Sequence, residues 1–254
     1  MIDVIDVYDY ARYPTKEEWM KICGDKADII NRIYLDNNGN KIEFSLSDFE
    51  DGYYNIQMQY WLKEFNNRVF DLIVNYTLLK YYYDSGIPDE EWYKSPGENG
   101  KSVQYFPHFE KKHYGILYWF SFYVDSYYTR FEGLIDTIYH IINIKYRLGI
   151  KPSSEFRGNV LKELENKDKA LYKYLNSLPR NPVYKRKNKF RNNIVHNYRP
   201  NQIDSGFTRT INHEGSEIIT MSVGNYTTST EFLNNIKDSL DLLADITDKI
   251  RVKI

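Results

Sequence analysis

Apolar residues recur at helical spacing over two long stretches, and this constrains the fold more than any other feature of the chain. In the first, Met58, Trp61, Leu62, Phe65, Val69, Leu72, Ile73, Tyr76, Leu79 and Tyr83 follow one another at three- and four-residue steps, which puts them on one side of a helix from about 56 to 83. Gly86 and Pro88 close it. The second stretch runs from about 114 to 148, ends at Gly149 and Pro152, and is apolar on several faces. That is the pattern of a central helix, or of one that also meets a partner. Helices of this length must bury their apolar sides on other helices, and the rest of the chain supplies them. A stripe of Val160, Leu161, Leu164, Leu171, Tyr174, Leu175 and Leu178 predicts a helix over 155–177, broken by Pro179 and Pro182. Another fits 183–197, before Pro200, and a last one spans about 228–251 with Phe232, Ile236, Leu240, Leu243, Ile246 and Ile250 on one face. The expected fold class is mainly α, a bundle of four to five helices, two of them long, with two peripheral β-hairpins.

The hairpins are read from turn chemistry. In RIYLDNNGNKIEFSL two β-prone runs flank Asp36-Asn37-Asn38-Gly39, and in FTRTINHEGSEIITMSV they flank His213-Glu214-Gly215-Ser216. Thr15-Lys16-Glu17-Glu18 has the form of a capping box that starts a short helix. Residues 1–50 are therefore expected to be a small N-terminal α/β appendage. Residues 51–254 are expected to be a helical domain with a hairpin near 207–223. Between the two long helices, residues 86–112 form a loop with Pro88, Pro96, Gly97, Gly100 and Pro107, and a loop of that length is usually functional or mobile.

Composition narrows the class of protein. The net charge is −1, so any surface for a polyanion must be local. Cys23 is the single cysteine, which excludes an internal disulfide and a two-cysteine zinc site and suits a reducing compartment. The opening MIDVIDVYDYARYP is acidic and lacks the basic start of a secretory signal, and the most apolar run, 114–124, is too short for a membrane span. A cytoplasmic protein is expected. The 25 tyrosines suit cores and interfaces alike.

Charge is segregated within the chain. Lys169 to Ile203 contains no acid but holds Lys169, Lys173, Arg180, Lys185, Arg186, Lys187, Lys189, Arg191 and Arg199. Such a run suits phosphate neutralisation, and equally a solvated helix face. Inside it lies Arg191-Asn192-Asn193-Ile194-Val195-His196. Asn192 and His196, four apart, share a helix face, and the long side chain of Arg191 can swing back to His196. Ile194 and Val195 are placed to anchor the helix on the bundle. These residue types suit RNA cleavage by its own 2′-OH. Histidine can take the hydroxyl proton, arginine can hold the phosphate in a planar, permanently charged fork, and asparagine can bond the phosphate or orient the histidine. No carboxylate or Cys/His cluster here suggests a metal or other cofactor.

Arg191, Asn192 and His196, on a helix late in a helical bundle, resemble the Arg-polar-x-x-x-His motif of the HEPN superfamily (higher eukaryotes and prokaryotes nucleotide-binding), in its prokaryotic stand-alone RNase form. The resemblance spans roughly 56–199, or to 253 at its widest, and leaves residues 1–50 outside it. It implies a bundle of four or five helices, a metal-independent endoribonuclease without cofactor, RNA as substrate, and a homodimer that joins two motifs in one cleft. It also implies a role as a toxin or defence protein, with an antitoxin or defence partner and no membrane association. The alternative is a non-catalytic HEPN-type module that binds RNA or a nucleotide. A plain helical scaffold would leave the basic run unexplained.

Around the motif, Lys185, Arg186, Lys187, Lys189 and Arg199 are expected to bind RNA. Asn193 competes with Asn192 for the orienting amide, and Tyr198 extends the surface. Glu132 and Asp136, four apart on the second long helix, could bind a metal, but Arg130 beside them favours ordinary ion pairing; the family resemblance lets Glu132 steady Arg191. His140 reads as a core histidine, His108 and His113 as loop residues, His213 as a turn tip. Tyr118-Trp119-Phe120 and Tyr127-Tyr128 read as core or dimer packing, with base stacking as the other use.

Overall fold

A computed structural model describes residues 6–35, 49–212 and 215–254. Two long helices dominate it. Helix α3, Phe49–Asp84, and helix α4, Lys111–Lys145, pack against each other over much of their length. They are preceded by α1, Lys16–Gly24, and α2, Ala27–Ile33, and followed by α5, Phe156–Lys167; α6, Lys169–Ser177; α7, Pro182–His196; and α8, Ser229–Arg251. The architecture is mainly helical, as the periodicity predicts, with two small antiparallel strand pairs. None of the helices among the described residues is long and apolar enough to cross a membrane.

The core lies where α3, α4 and α8 meet. Phe65, Val69, Leu72 and Leu79 of α3, Phe120, Tyr127, Tyr128 and Phe131 of α4, and Phe232, Ile236 and Leu243 of α8 are all buried. Burying such side chains contributes roughly 1.5–3 kcal/mol each. The two buried tyrosines of α4 keep their hydroxyls bonded: Tyr127 pairs with Ser239 at 2.8 Å, and Tyr128 donates to Asn235 Oδ1 at 2.9 Å. Both therefore serve α4–α8 packing, and an unpaired buried hydroxyl is avoided.

Helix ends follow local chemistry. Thr15 and Glu18 form the expected capping box of α1, and Thr228 and Glu231 form another at α8. Gly86, at φ +90°, takes the left-handed turn that ends α3. Asn181 caps α7, whose first residue is Pro182. The single helix expected over 155–177 is two helices, α5 and α6. The break falls at Asp168, whose carboxylate accepts from Leu171 N at 3.0 Å and so caps α6.

The N-terminal residues lie against the bundle. Tyr82 of α3 accepts from Arg12 N and donates to Arg12 O, both at 2.8 Å, and Trp119 of α4 donates to Val7 O at 2.9 Å. Arg32 of α2 reaches Asp245 and Asp248 of α8. Arg32 and Ile33, expected to open a β-hairpin, instead end α2, where the buried Ile33 helps to close the core. Tyr34 follows as the cap of α2 and Leu35 is buried, while the remainder of that expected hairpin, 36–46 with its turn at 36–39, lies outside the described residues.

The long loop contains a short pair, β1 Tyr93–Lys94 with β2 Gln104–Tyr105. The later hairpin is present as β3, Phe207–Ile211, paired with β4, Glu217–Met221, though His213 and Glu214 of its turn lie outside the described residues. A buried acid ties the loop to α8: Asp89 accepts from Ser229 N at 2.8 Å, Ser229 Oγ at 2.7 Å and Tyr226 OH at 2.8 Å.

Candidate active site

Helix α7 positions the Arg-Asn-His segment. Its inward stripe is Tyr184, Lys187 and Phe190, with Ile194 half-buried at the end, so Asn192 and His196 face outward. Val195, expected to share the anchoring, is exposed. Arg191 bends back along the helix. Its Nη1 donates to Asn192 Oδ1 at 3.2 Å and lies 3.4 Å from His196 Nε2. Arginine has donors only, so this contact uses an unprotonated Nε2 as acceptor. A guanidinium, an amide and an imidazole are thus within touching distance at the exposed end of a helix. Asn193, the rival amide, turns the other way and accepts from Asn197 Nδ2 at 3.2 Å.

The expected supporting residues divide. Lys185 and Lys189 are exposed, and neither forms an ion pair among the described residues. Arg186 is exposed but pairs with Glu231 at 3.1 Å, and Arg199 pairs with Asp125 at 3.3 Å. Tyr198 is exposed just past the helix. Acids from α4 and α8 therefore offset part of the positive field that the local sequence suggests.

Lys187 is a correction. It was expected on the phosphate-binding surface, yet its side chain is 0% exposed. Its ammonium bonds Glu132 of α4 and lies over the rings of Tyr184 and Phe131, 4.4 and 4.7 Å from their centroids. Glu132 in turn accepts from Arg157 of α5 at 2.9 Å, and Arg157 also bonds Asp136 at 2.6 Å. Burial works against the charged Glu132, but Lys187 and Arg157 outweigh it and hold its carboxyl below the usual range. Glu132 therefore does not contact Arg191. The partner of Glu132 and Asp136 is Arg157, whereas Arg130 pairs with Asp71. The network joins α4, α5 and α7 one turn before Arg191.

The other histidines among the described residues each have a partner. His140 stacks between Trp61 and Phe156, with ring centroids 4.0 and 4.3 Å away. His108 pairs with Glu91, and His113 accepts from Glu110 N at the start of α4.

A cleft of about 440 Å³ opens where the chain leaves α7, between the first half of α4 and residues 199–202. Asp125, a half-buried residue of its lining, was not singled out from sequence. Burial pushes its carboxyl up to about 6, against the pull of Arg199.

The profile of the Cthe2314-like HEPN family matches residues 61–251, roughly three quarters of the chain, from within α3 to the end of α8. The chain belongs to the HEPN superfamily. No curated protein and no solved structure matches it. The all-α bundle is that of a HEPN domain, and HEPN domains serve nucleotide- and RNA-related functions, often as RNases. In this HEPN domain the Arg-Asn-His cluster lies at the end of α7, inside the matched region.

Proposed function

We propose that the chain is a metal-independent endoribonuclease that cleaves RNA by 2′-OH transesterification. The observation that carries this is the cluster of Arg191, Asn192 and His196, with Arg191 Nη1 3.4 Å from His196 Nε2 on an exposed helix end. His196 Nε2 takes the proton of the 2′-OH, whose oxygen attacks the adjacent phosphorus. Arg191 turns from the imidazole to the phosphate and stabilises the charge that builds on it. The bond from phosphorus to the 5′-oxygen breaks, an acid returns a proton to that oxygen, and a 2′,3′-cyclic phosphate and a 5′-hydroxyl remain. Asn192 bonds the phosphate or fixes the guanidinium.

One imidazole per chain supplies the base and leaves the acid to be found. A homodimer that faces two motifs across a two-fold axis supplies both. The exposed Lys185 and Lys189, with Arg186, Arg199 and Tyr198, line the groove and hold the strand through its phosphates. Such an activity suits a cytoplasmic toxin or defence protein held in check by an antitoxin or a defence partner.

Incubating single-stranded RNA with the protein in EDTA tests the reaction type. Cleavage with 2′,3′-cyclic phosphate ends is expected. Activity that chelation abolishes and a divalent ion restores contradicts the mechanism.

A further inference from the structure

Arg199 follows His196 by three residues, and three residues of extended chain span at most about 11 Å. The cleft that Arg199 lines is therefore a neighbour of the Arg-Asn-His cluster. Its opposite wall is an outward stripe of α4: Tyr114, Tyr118 and Phe122, spaced four apart and 39%, 49% and 52% exposed. Bare rings in a row are the common platform for single-stranded bases, because every base has a π-face.

Two acceptors in the lining of the cleft, on Asp125 and Asn201, have capacity to spare. The Asp125 side chain is 20% exposed and meets Arg199 Nη2 through one oxygen, so the carboxylate keeps acceptor sites open. Asn201 donates through Nδ2 to Ser121 Oγ, which itself donates to Leu117 O at 2.6 Å. That chain of donors fixes the orientation of the amide. It leaves Asn201 Oδ1 buried with no donor among the described residues. A buried acceptor without a donor is costly, and native structures rarely keep one without a reason. The cleft thus offers flat aromatic surface, two acceptors, one guanidinium and the amide of Gln202.

We propose that this cleft is a nucleotide subsite selective for guanine, next to the phosphate that is cut. The base stacks on Tyr118 and Phe122 and turns its Watson–Crick edge inward. Its N1–H and 2-amino group donate to Asp125, while Arg199 faces the attached phosphate. Adenine and cytosine place an acceptor beside their amino group, against the carboxylate, and uracil brings a single N–H between two carbonyls. The subsite rests on the RNA reading above and adds which base is read.

Binding separates the two ideas. The probes are short 2′-O-methyl oligonucleotides, which lack the nucleophile and cannot be cut, differing at one position in guanine, inosine, adenine, cytosine or uracil. Fluorescence anisotropy with the full chain should show guanine bound roughly tenfold more tightly than inosine or adenine, from the doubled contact to the base edge. Asp125→Asn, near-isosteric and checked for an unchanged unfolding midpoint, should erase that preference. Tyr118→Ala, at an exposed ring, should weaken every oligonucleotide by roughly tenfold. His196→Ala should retain the preference. Equal binding of all five bases, or a guanine preference that survives Asp125→Asn, overturns the subsite. So does a Tyr118→Ala variant that alters self-association in light scattering and leaves binding intact, since the stripe then meets a second copy. A guanine preference without any cleavage of ordinary RNA overturns the nuclease reading and supports the subsite.

Discussion

Lys187 carries its ammonium from α7 into the interior, onto the carboxylate of Glu132 on α4, one helical turn before Arg191. The pair, with Arg157, ties the helix that carries the Arg-Asn-His cluster to the centre of the bundle. Removing one member of a buried ion pair strands the other, at a cost of about 3–5 kcal/mol. Glu132→Gln strands the wholly buried Lys187, while Arg157 keeps Asp136, and should lie in that range. Lys187→Met leaves Glu132 with Arg157 and should cost less, about 2–3 kcal/mol by the same reasoning. Urea unfolding checks both values, and losses below about 1 kcal/mol for each variant would mean a surface pair in place of a buried one.

Exposed and buried lysines of the same basic run should behave differently towards RNA. Lys185→Ala and Lys189→Ala should each weaken binding and lower the slope of log affinity against log salt by roughly one phosphate contact. Lys187→Met should leave that slope unchanged, because its charge never reaches the strand. Titrations at several salt concentrations decide this, and a slope that falls with Lys187→Met would place its ammonium on the RNA surface.

Asp168 caps α6, bonds Tyr146 OH at 2.8 Å and pairs with Lys253 at 2.7 Å. The bond from Leu171 N, then Lys253 and Tyr146, hold its carboxyl down, from 3.8 to about 2. Its folded pKa lies below its unfolded one. The stabilisation is therefore complete above about pH 4 and is lost as pH falls towards 2. Asp168→Ala should cost about 1 kcal/mol at pH 7 through the lost cap, and should flatten the acid limb of the stability curve between pH 4 and 2. Asp168→Asn, which still caps but carries no charge for Lys253, should recover only part of the stability at pH 7 and none of the pH dependence. Thermal unfolding across that range measures both effects.

The long helices were readable because their apolar residues repeat with the helical period and glycine and proline mark the ends. The division at Asp168 was not, since the stripe of Leu164 and Leu171 continues on both sides and both residues are buried. What breaks the helix is a side-chain cap, a matter of backbone angle. The grouping of Arg191, Asn192 and His196 follows from spacing along one helix, so it could be read locally. The burial of Lys187 could not be read from charge, because Glu132 lies 55 residues away in sequence. A signal was present in the stripe Tyr184, Lys187, Phe190 at three-residue steps, which places the lysine on the inward face. Asp125 and Asn201 escaped for the same reason: the cleft exists only once α4 and the segment after α7 are packed together.

A dimer should form with the two His196 residues facing one groove. Exposed Tyr53, Tyr60 and Phe70 on α3 leave apolar surface for such a contact. Light scattering at micromolar concentration should give twice the 30.4 kDa chain mass. A strict monomer, or a dimer with the two histidines on opposite outer faces, contradicts the shared groove.

The most direct test of the nuclease assignment is the rate of RNA cleavage in EDTA for wild type, Arg191→Ala, His196→Ala and the double variant. Arg191 is half-exposed and His196 exposed, so neither change opens a core cavity, and unfolding free energies should change by no more than about 0.5 kcal/mol. Each single change should remove cleavage, and the double change should cost no more than the worse single, because both residues serve one step. Near-wild-type cleavage by either folded single variant would contradict the assignment.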